Sequence, residues 1–105
     1  MQKYPPTIIG AVPALTEMLL ATPEFTEVDL SKLKIWGSGA APISSATVKQ
    51  LVDRIGEGIL SDAFGMTETT GAYIGNPPKR YKFGSVGIPV ADTDIRIMDV
   101  ETGTK

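Results

Sequence analysis

The sequence predicts an α/β fold: a mostly parallel sheet with crossover helices in the order β-α-β-α-β, followed by a β-rich C-terminal segment. Three observations carry this. Short apolar runs recur at residues 7–12, 33–37 and 58–64. Helical periodicity fills the gaps between them, most clearly where Val48, Leu51, Val52 and Ile55 fall at i, i+3, i+4 and i+7. Alternation of strand and helix implies parallel pairing with right-handed crossovers.

Residues 7–12 (Thr-Ile-Ile-Gly-Ala-Val) are apolar and partly β-branched, so they read as a buried strand. Pro13 suits the first turn of a helix, where its missing N–H is not needed. Leu15, Met18 and Leu19 give that helix one apolar stripe, and Thr22-Pro23 ends it. Residues 24–31 read as a polar loop or short turn. Residues 33–37 form the second strand and run into a tight loop, Ser38-Gly39-Ala40-Ala41-Pro42. Ser44 or Ser45 offers an N-cap for the second helix, which Gly56 and Gly58 close. Residues 58–64 form the third strand, residues 75–84 a loop, and 84–89 a second tight segment. Residues 94–99 alternate at period two and read as a half-exposed strand. The expected organisation is one unit, with 1–74 carrying the β-α-β-α-β part, 75–83 a loop and 84–105 a β segment.

With 105 residues the chain is long enough for one small domain. A hydrophobic share of 42% and a charged share of 21% are ordinary for a globular protein. The net charge of −2 gives no general pull toward nucleic acid, and Lys79-Arg80-Tyr81-Lys82 is a short basic cluster that reads as a solvated loop. Without cysteine there are no disulfides or iron–sulfur clusters, and the expected location is cytoplasmic, with peripheral membrane association left open. Without histidine there is no Ser-His-Asp triad, and without either there is no His or Cys zinc site. No run approaches the ~20 apolar residues of a membrane span. The opening residues read as the middle of a larger sequence and 101–105 stop on a turn signal, so both ends read as those of an excised piece.

Two small-residue loops, 37–42 and 64–71, each follow an expected strand, and the carboxyl edge of an open parallel sheet is where ligands bind. The first loop lacks bulk, so a flat ligand can approach its backbone, or it is a plain strand-to-helix turn. It is no dinucleotide fingerprint, since Pro42 stands at the third glycine, and no Walker A loop exists. In Asp62-Ala63-Phe64-Gly65-Met66-Thr67-Glu68-Thr69-Thr70-Gly71, Phe64 reads as a stacking face for a purine or as a core aromatic. Thr67 reads as a phosphate donor or as a turn hydroxyl. Glu68 reads as an oxygen ligand to Mg2+ or as a surface glutamate. Asp92, Asp94, Asp99 and Glu101 do not match a calcium loop and read as solvated. Trp36 reads as a packing residue, and Tyr73 as a cavity wall or a core residue.

Ser38-Gly39-Ala40-Ala41-Pro42-Ile43, followed by Asp62-Ala63-Phe64-Gly65-Met66-Thr67-Glu68-Thr69, resembles the adenylate-forming (AMP-binding) superfamily, and within it the acyl-CoA synthetases or long-chain fatty-acid–CoA ligases. Residues 7–15, Asp29-Leu30-Ser31-Lys32-Leu33-Lys34 and Gly84-Ser85-Val86-Gly87-Ile88-Pro89 resemble further family segments in order, so the likeness spans essentially the whole chain. The resemblance implies a ligase that uses ATP, Mg2+ and coenzyme A to activate a small-molecule carboxylic acid as acyl-AMP and pass it to a thiol.

Residue by residue, the resemblance implies that Ala40, Ala41 and Pro42 line one side of the adenine and that Phe64 stacks on the other. Asp62, Ala63, Gly65 and Met66 shape the nucleotide pocket. Thr67 touches the α-phosphate, Glu68 holds Mg2+, and these two form the catalytic set. Gly39, Ala72 and Gly87 lie near the carboxylate tunnel. Phe64 replaces the commoner tyrosine, so stacking survives without the phenol. The Gly-Ala-Ala-Pro loop differs from the "GEP" of acetate enzymes and favours a fatty acid. The alternatives are an aryl- or amino-acid-adenylating enzyme, or a non-catalytic nucleotide-binding or interaction module. The family's phosphate loop, ribose-binding aspartate, following arginine and C-terminal-domain lysine are not among these residues. The isolated chain is therefore expected to be inactive and to self-associate through uncovered strand edges and apolar faces.

Overall fold

The computed structural model describes residues 3–77 and 79–105. Five strands form one sheet in the order β1 (Ile8–Gly10), β2 (Ile35–Gly39), β3 (Leu60–Met66), β4 (Gly71–Gly75) and β5 (Ile88–Pro89). β1–β2 and β2–β3 are parallel, while β3–β4 and β4–β5 are antiparallel. Helix α1 (Pro13–Ala21) joins β1 to β2, and α2 (Ser45–Ile55) joins β2 to β3.

Both helices cover the same face of the sheet. Ile9, Trp36 and Leu60 are register neighbours across β1, β2 and β3. They belong to one core with Leu51 and Ile55 from α2 and Leu19 and Leu20 from α1. On the opposite face the register partners are Ile8 and Ile35, then Gly10, Gly37 and Ser61, then Gly39 and Ala63. Among the described residues no helix covers these, and Ile8 is 66% exposed. The expected buried strand at 7–12 is therefore a three-residue edge strand whose outward face meets solvent.

α2 forms as its periodicity requires. The Ser44 hydroxyl accepts from the Thr47 N–H at 3.1 Å, an N-cap, and Gly56 closes the helix at φ +93°. Leu51 and Ile55 are buried, Val48 packs against the core, and Val52 is half-buried. α1 differs from expectation. Leu15 and Met18 are exposed, and the buried residues are Pro13 and Thr16. This helix is apolar nearly all round, so periodicity does not choose its inner face. The Trp36 indole does, donating to the Thr16 hydroxyl at 3.3 Å.

Residues Pro23–Glu27 form a 3-10 turn that buries Phe25 edge-to-face on Trp36, with ring centroids 6.0 Å apart. Arg54 of α2 holds the end of that turn. One of its guanidinium nitrogens lies 3.0, 3.2 and 2.7 Å from the carbonyls of Phe25, Thr26 and Val28.

β2 and β3 each run two residues beyond the expected stretches, to Gly39 and Met66. The loop expected after β3 is a hairpin: Thr67–Thr69 make a 3-10 turn and the chain returns as β4. The strand expected at 94–99 does not form, because among the described residues no strand lies beside it; Ile97 is 89% exposed. The β-rich C-terminal segment reduces to β5. The radius of gyration is 15.8 Å, against roughly 13 Å for a compact chain of this length.

Candidate functional site

A cleft of about 440 Å³ opens where β2 and β3 end. The first wall is the β2–α2 loop, Ala40 to Ile43. Ala40 takes a left-handed conformation, φ 67°, so the chain turns sharply as it leaves the strand. The floor is the outgoing end of β3, Asp62 to Gly65. The third wall is the returning loop, with Tyr81 and residues 83–86. That wall gave no sequence signal as a site beyond the Gly84–Pro89 turn, because its contribution depends on how the loop folds back.

Two of the expected groups thus meet: Ala40, Ala41 and Pro42 face Asp62, Ala63, Phe64 and Gly65 across one cavity. Phe64 is 43% exposed, and its ring packs edge-to-face against Tyr73, with centroids 5.4 Å apart and planes at 78°. Tyr73 therefore supports the aromatic rather than lining the cleft.

Burial pushes the Asp62 carboxyl above its ordinary range, partly offset by the Ala63 N–H it accepts from at 3.0 Å. Burial, and then the Asp62 charge, push the Tyr81 phenol upward. A carboxylate in this mostly apolar cleft is costly to keep ionised unless a donor meets it.

The other expected residues stand outside the cleft lining. Met66, Thr67 and Glu68 lie exposed at the hairpin tip. Thr69 builds that tip: its hydroxyl accepts from the Met66 N–H at 3.1 Å and lies 2.9 and 3.0 Å from the Met66 and Gly71 carbonyls. Gly39, Gly65 and Gly87 have packing reasons for being glycine. A Cβ on Gly39 would sit 3.0 Å from the Ala63 carbonyl oxygen. A Cβ on Gly65 would overlap Gly71 and Ala72, where the β3–β4 register shifts. A Cβ on Gly87 would overlap Gly75 and Asn76. Ala72 is exposed on β4, opposite Gly65.

Among the described residues no three acidic side chains converge to hold a metal ion. A single exposed carboxylate such as that of Glu68 is compatible with Mg2+, an ion that commonly takes one or two carboxylates and completes its shell with phosphate and water. No described helix is long and apolar enough to cross a membrane.

Parallel strands that deliver small-residue loops to a cleft at their carboxyl ends, with an aromatic on its floor, are the arrangement of the α/β class of domains, in which ligands bind at the strand exits. Comparison supplies the particular family. The model described as "AMP-binding enzyme" matches residues 1–105, and the chain belongs to that family.

It is 34% identical over 100 residues to a long-chain-fatty-acid–CoA ligase of Yersinia pestis, covering 94% of this chain and 18% of that protein. It is 32% identical over 108 residues to a 4-coumarate–CoA ligase of Pinus taeda, covering 98% and 20%. A solved anthranilate CoA ligase in complex with anthranoyl-AMP superposes with a TM-score of 0.84 at 29% identity, covering 94% of this chain and 19% of that one. A long-chain-fatty-acid-CoA ligase from Archaeoglobus fulgidus gives 0.79 at 26%, covering 97% and 22%. The mixed sheet with its helices is thus the α/β fold of these ligases, and the chain spans about a fifth of the length of the relatives it matches.

Proposed function

We propose that this chain supplies the adenine-facing part of an acid–thiol ligase. In that reaction a carboxylate oxygen attacks the α-phosphorus of ATP, pyrophosphate leaves, and the thiol of coenzyme A then displaces AMP from the acyl group. The observation that carries the reading is the convergence of Ala40–Pro42 and Asp62–Gly65 on one cleft in a chain of the AMP-binding family. Phe64 and the Ala40–Pro42 backbone hold the base between them. Thr67 donates to the α-phosphate, where charge builds in the transition state. Glu68 supplies a carboxylate to Mg2+, which when bound neutralises phosphate charge. Gly39, Ala72 and Gly87 border the path of the acid.

A fatty acid is the favoured substrate, supported by the Gly39-Ala40-Ala41-Pro42 loop and the fatty-acid–CoA ligase relatives. The likeness to an anthranilate CoA ligase favours an aryl acid as the second reading. An acid panel assayed for acyl-CoA formation, using the longest natural polypeptide that contains these residues, decides between them. Glu68→Gln is expected to abolish most Mg2+-dependent activity; full activity in that variant removes the metal role from Glu68.

These 105 residues alone do not complete the reaction, and acyl-CoA formation by them in isolation would overturn this statement. They also self-associate in isolation. The solvent-accessible surface is 7683 Å², against about 5,700 Å² for a compact monomer of this mass. The excess is of the order that a stable interface buries. A monomer by light scattering at high concentration would refute it.

A further inference from the structure

We propose that Asn76 is a positioning residue that clamps the third wall of the cleft against its floor; its consequence for nucleotide binding rests on the function proposed above. Asn76 follows β4 directly. Its backbone N–H donates to the Asp62 carbonyl at 3.1 Å, and its Nδ2 donates to the Ser85 carbonyl at 3.2 Å. Asp62 belongs to the floor and Ser85 to the third wall. One residue outside the lining therefore ties the two together.

The rest of that wall has few ties to the sheet. The Ser85 N–H bonds to the Lys82 carbonyl, and the Gly87 N–H to the Ser85 hydroxyl, both within the loop itself. Tyr81 anchors one end by packing on the core, and β5 anchors the other by pairing with β4. Between those ends, among the described residues, the Asn76 amide is the side chain that hydrogen-bonds the wall to the sheet.

The amide's orientation is fixed. Exchanging its oxygen and nitrogen would set a carbonyl oxygen against the Ser85 carbonyl. Among the described residues its Oδ1 is buried without a partner, so no second bond from them to that side chain would hold the wall if the Nδ2 bond were lost. Gly87 completes the corner, because its bare backbone at φ +108° presses on Gly75 and Asn76, where any Cβ would overlap.

Release of Ser85 frees Phe83 and Val86, which line the cleft on either side of it. The clamp thus sets cleft width without touching the ligand. Breaking one net hydrogen bond is expected to change affinity by roughly two- to tenfold.

The test compares the parent with Asn76→Ala and with Asn76→Asp, which keeps the shape and removes the donor, in the longest natural polypeptide containing these residues. AMP affinity is measured by calorimetry and amide hydrogen exchange by mass spectrometry. Both variants are expected to bind AMP two- to tenfold more weakly, with faster exchange at residues 83–87. Exchange at Trp36, whose N–H bonds to the Ile59 carbonyl, stays unchanged. Unchanged exchange at 83–87, or a rise at Trp36 of the same size, overturns the clamp. A loosened wall with unchanged AMP affinity overturns the positioning role. If the parent itself binds no AMP, the nucleotide reading fails, while the exchange arm still decides the clamp.

Discussion

Replacing Phe64 separates the aromatic face from the bulk of the side chain. Phe64 lines the cleft and is 43% exposed as a residue, and its ring packs edge-to-face with Tyr73 at 5.4 Å. Truncation to alanine removes both functions at once. Stacking on a base is worth about 1–3 kcal/mol by such truncation, which is roughly 5- to 150-fold in Kd. The stability cost comes from the buried part of the ring, a fraction of the ~1.5–3 kcal/mol for full burial. The edge contact adds about 0.5–1.5 kcal/mol. Phe64→Ala is therefore expected to lose about 2 kcal/mol of stability as well as most of its nucleotide affinity, and alone it decides nothing. Phe64→Leu is the informative variant, since it keeps most of the apolar burial and has no π face. It is expected to melt within a few degrees of the parent and to bind AMP at least fivefold more weakly. Phe64→Tyr should retain both properties. Calorimetric titration with AMP, paired with a thermal melt, checks all three. A leucine variant that binds AMP as tightly as the parent would refute base stacking by Phe64.

Arg54→Met keeps an apolar stem over Phe25, whose ring lies 5.5 Å from the guanidinium, but removes the donors to three carbonyls. One nitrogen carries two hydrogens, and charged donors contribute about 1.5–3 kcal/mol each. With part of the site exposed, the expected loss is about 2 kcal/mol in a urea melt followed by circular dichroism, and a loss under about 0.5 kcal/mol would refute the role. Asp62→Asn should stabilise the ligand-free chain near neutral pH. Burial raises the Asp62 pKa, so the folded state is favoured below the unfolded value of about 4 and loses that contribution as pH rises above it. The gain over the parent should therefore vanish below about pH 4, and a gain that persists at pH 3 would point to packing instead. Thr70→Gly relieves a β-branched residue held at φ 65°. The relief, about 1–2 kcal/mol, exceeds the entropy cost of glycine, about 0.5–1 kcal/mol, so the melt should not fall.

α2 was legible because Ser44 and the Val48, Leu51, Val52, Ile55 series specify its start and its face together. α1 was legible as a helix but not in its orientation, since a chain apolar on every side leaves that choice to Thr16 and a tryptophan twenty residues away. β4 went unread because Gly71-Ala72-Tyr73-Ile74-Gly75 is short and glycine-bounded; pairing with β3 makes it a strand, not propensity. The alternation at 94–99 misled for the converse reason, a strand pattern without a neighbouring strand. Of the cleft, the two strand-exit loops were readable from small residues after apolar runs. Tyr81, Phe83 and Asn76 were not, since each acts through a contact made only when the loop closes. Arg54 bonds to backbone carbonyls, which leave no trace in side-chain identity.

The placement of Trp36 gives this chain an optical handle. It is the only tryptophan, fully buried, edge-on to Phe25, and bonded through its indole to Thr16. Its emission should be blue-shifted in the folded chain and move to the red when either helix leaves the sheet. Because Trp36 sits on the helix-covered face and takes no part in the cleft lining, the same signal should stay level while a ligand fills the cleft. One spectrum can therefore separate loss of fold from loss of binding in any variant.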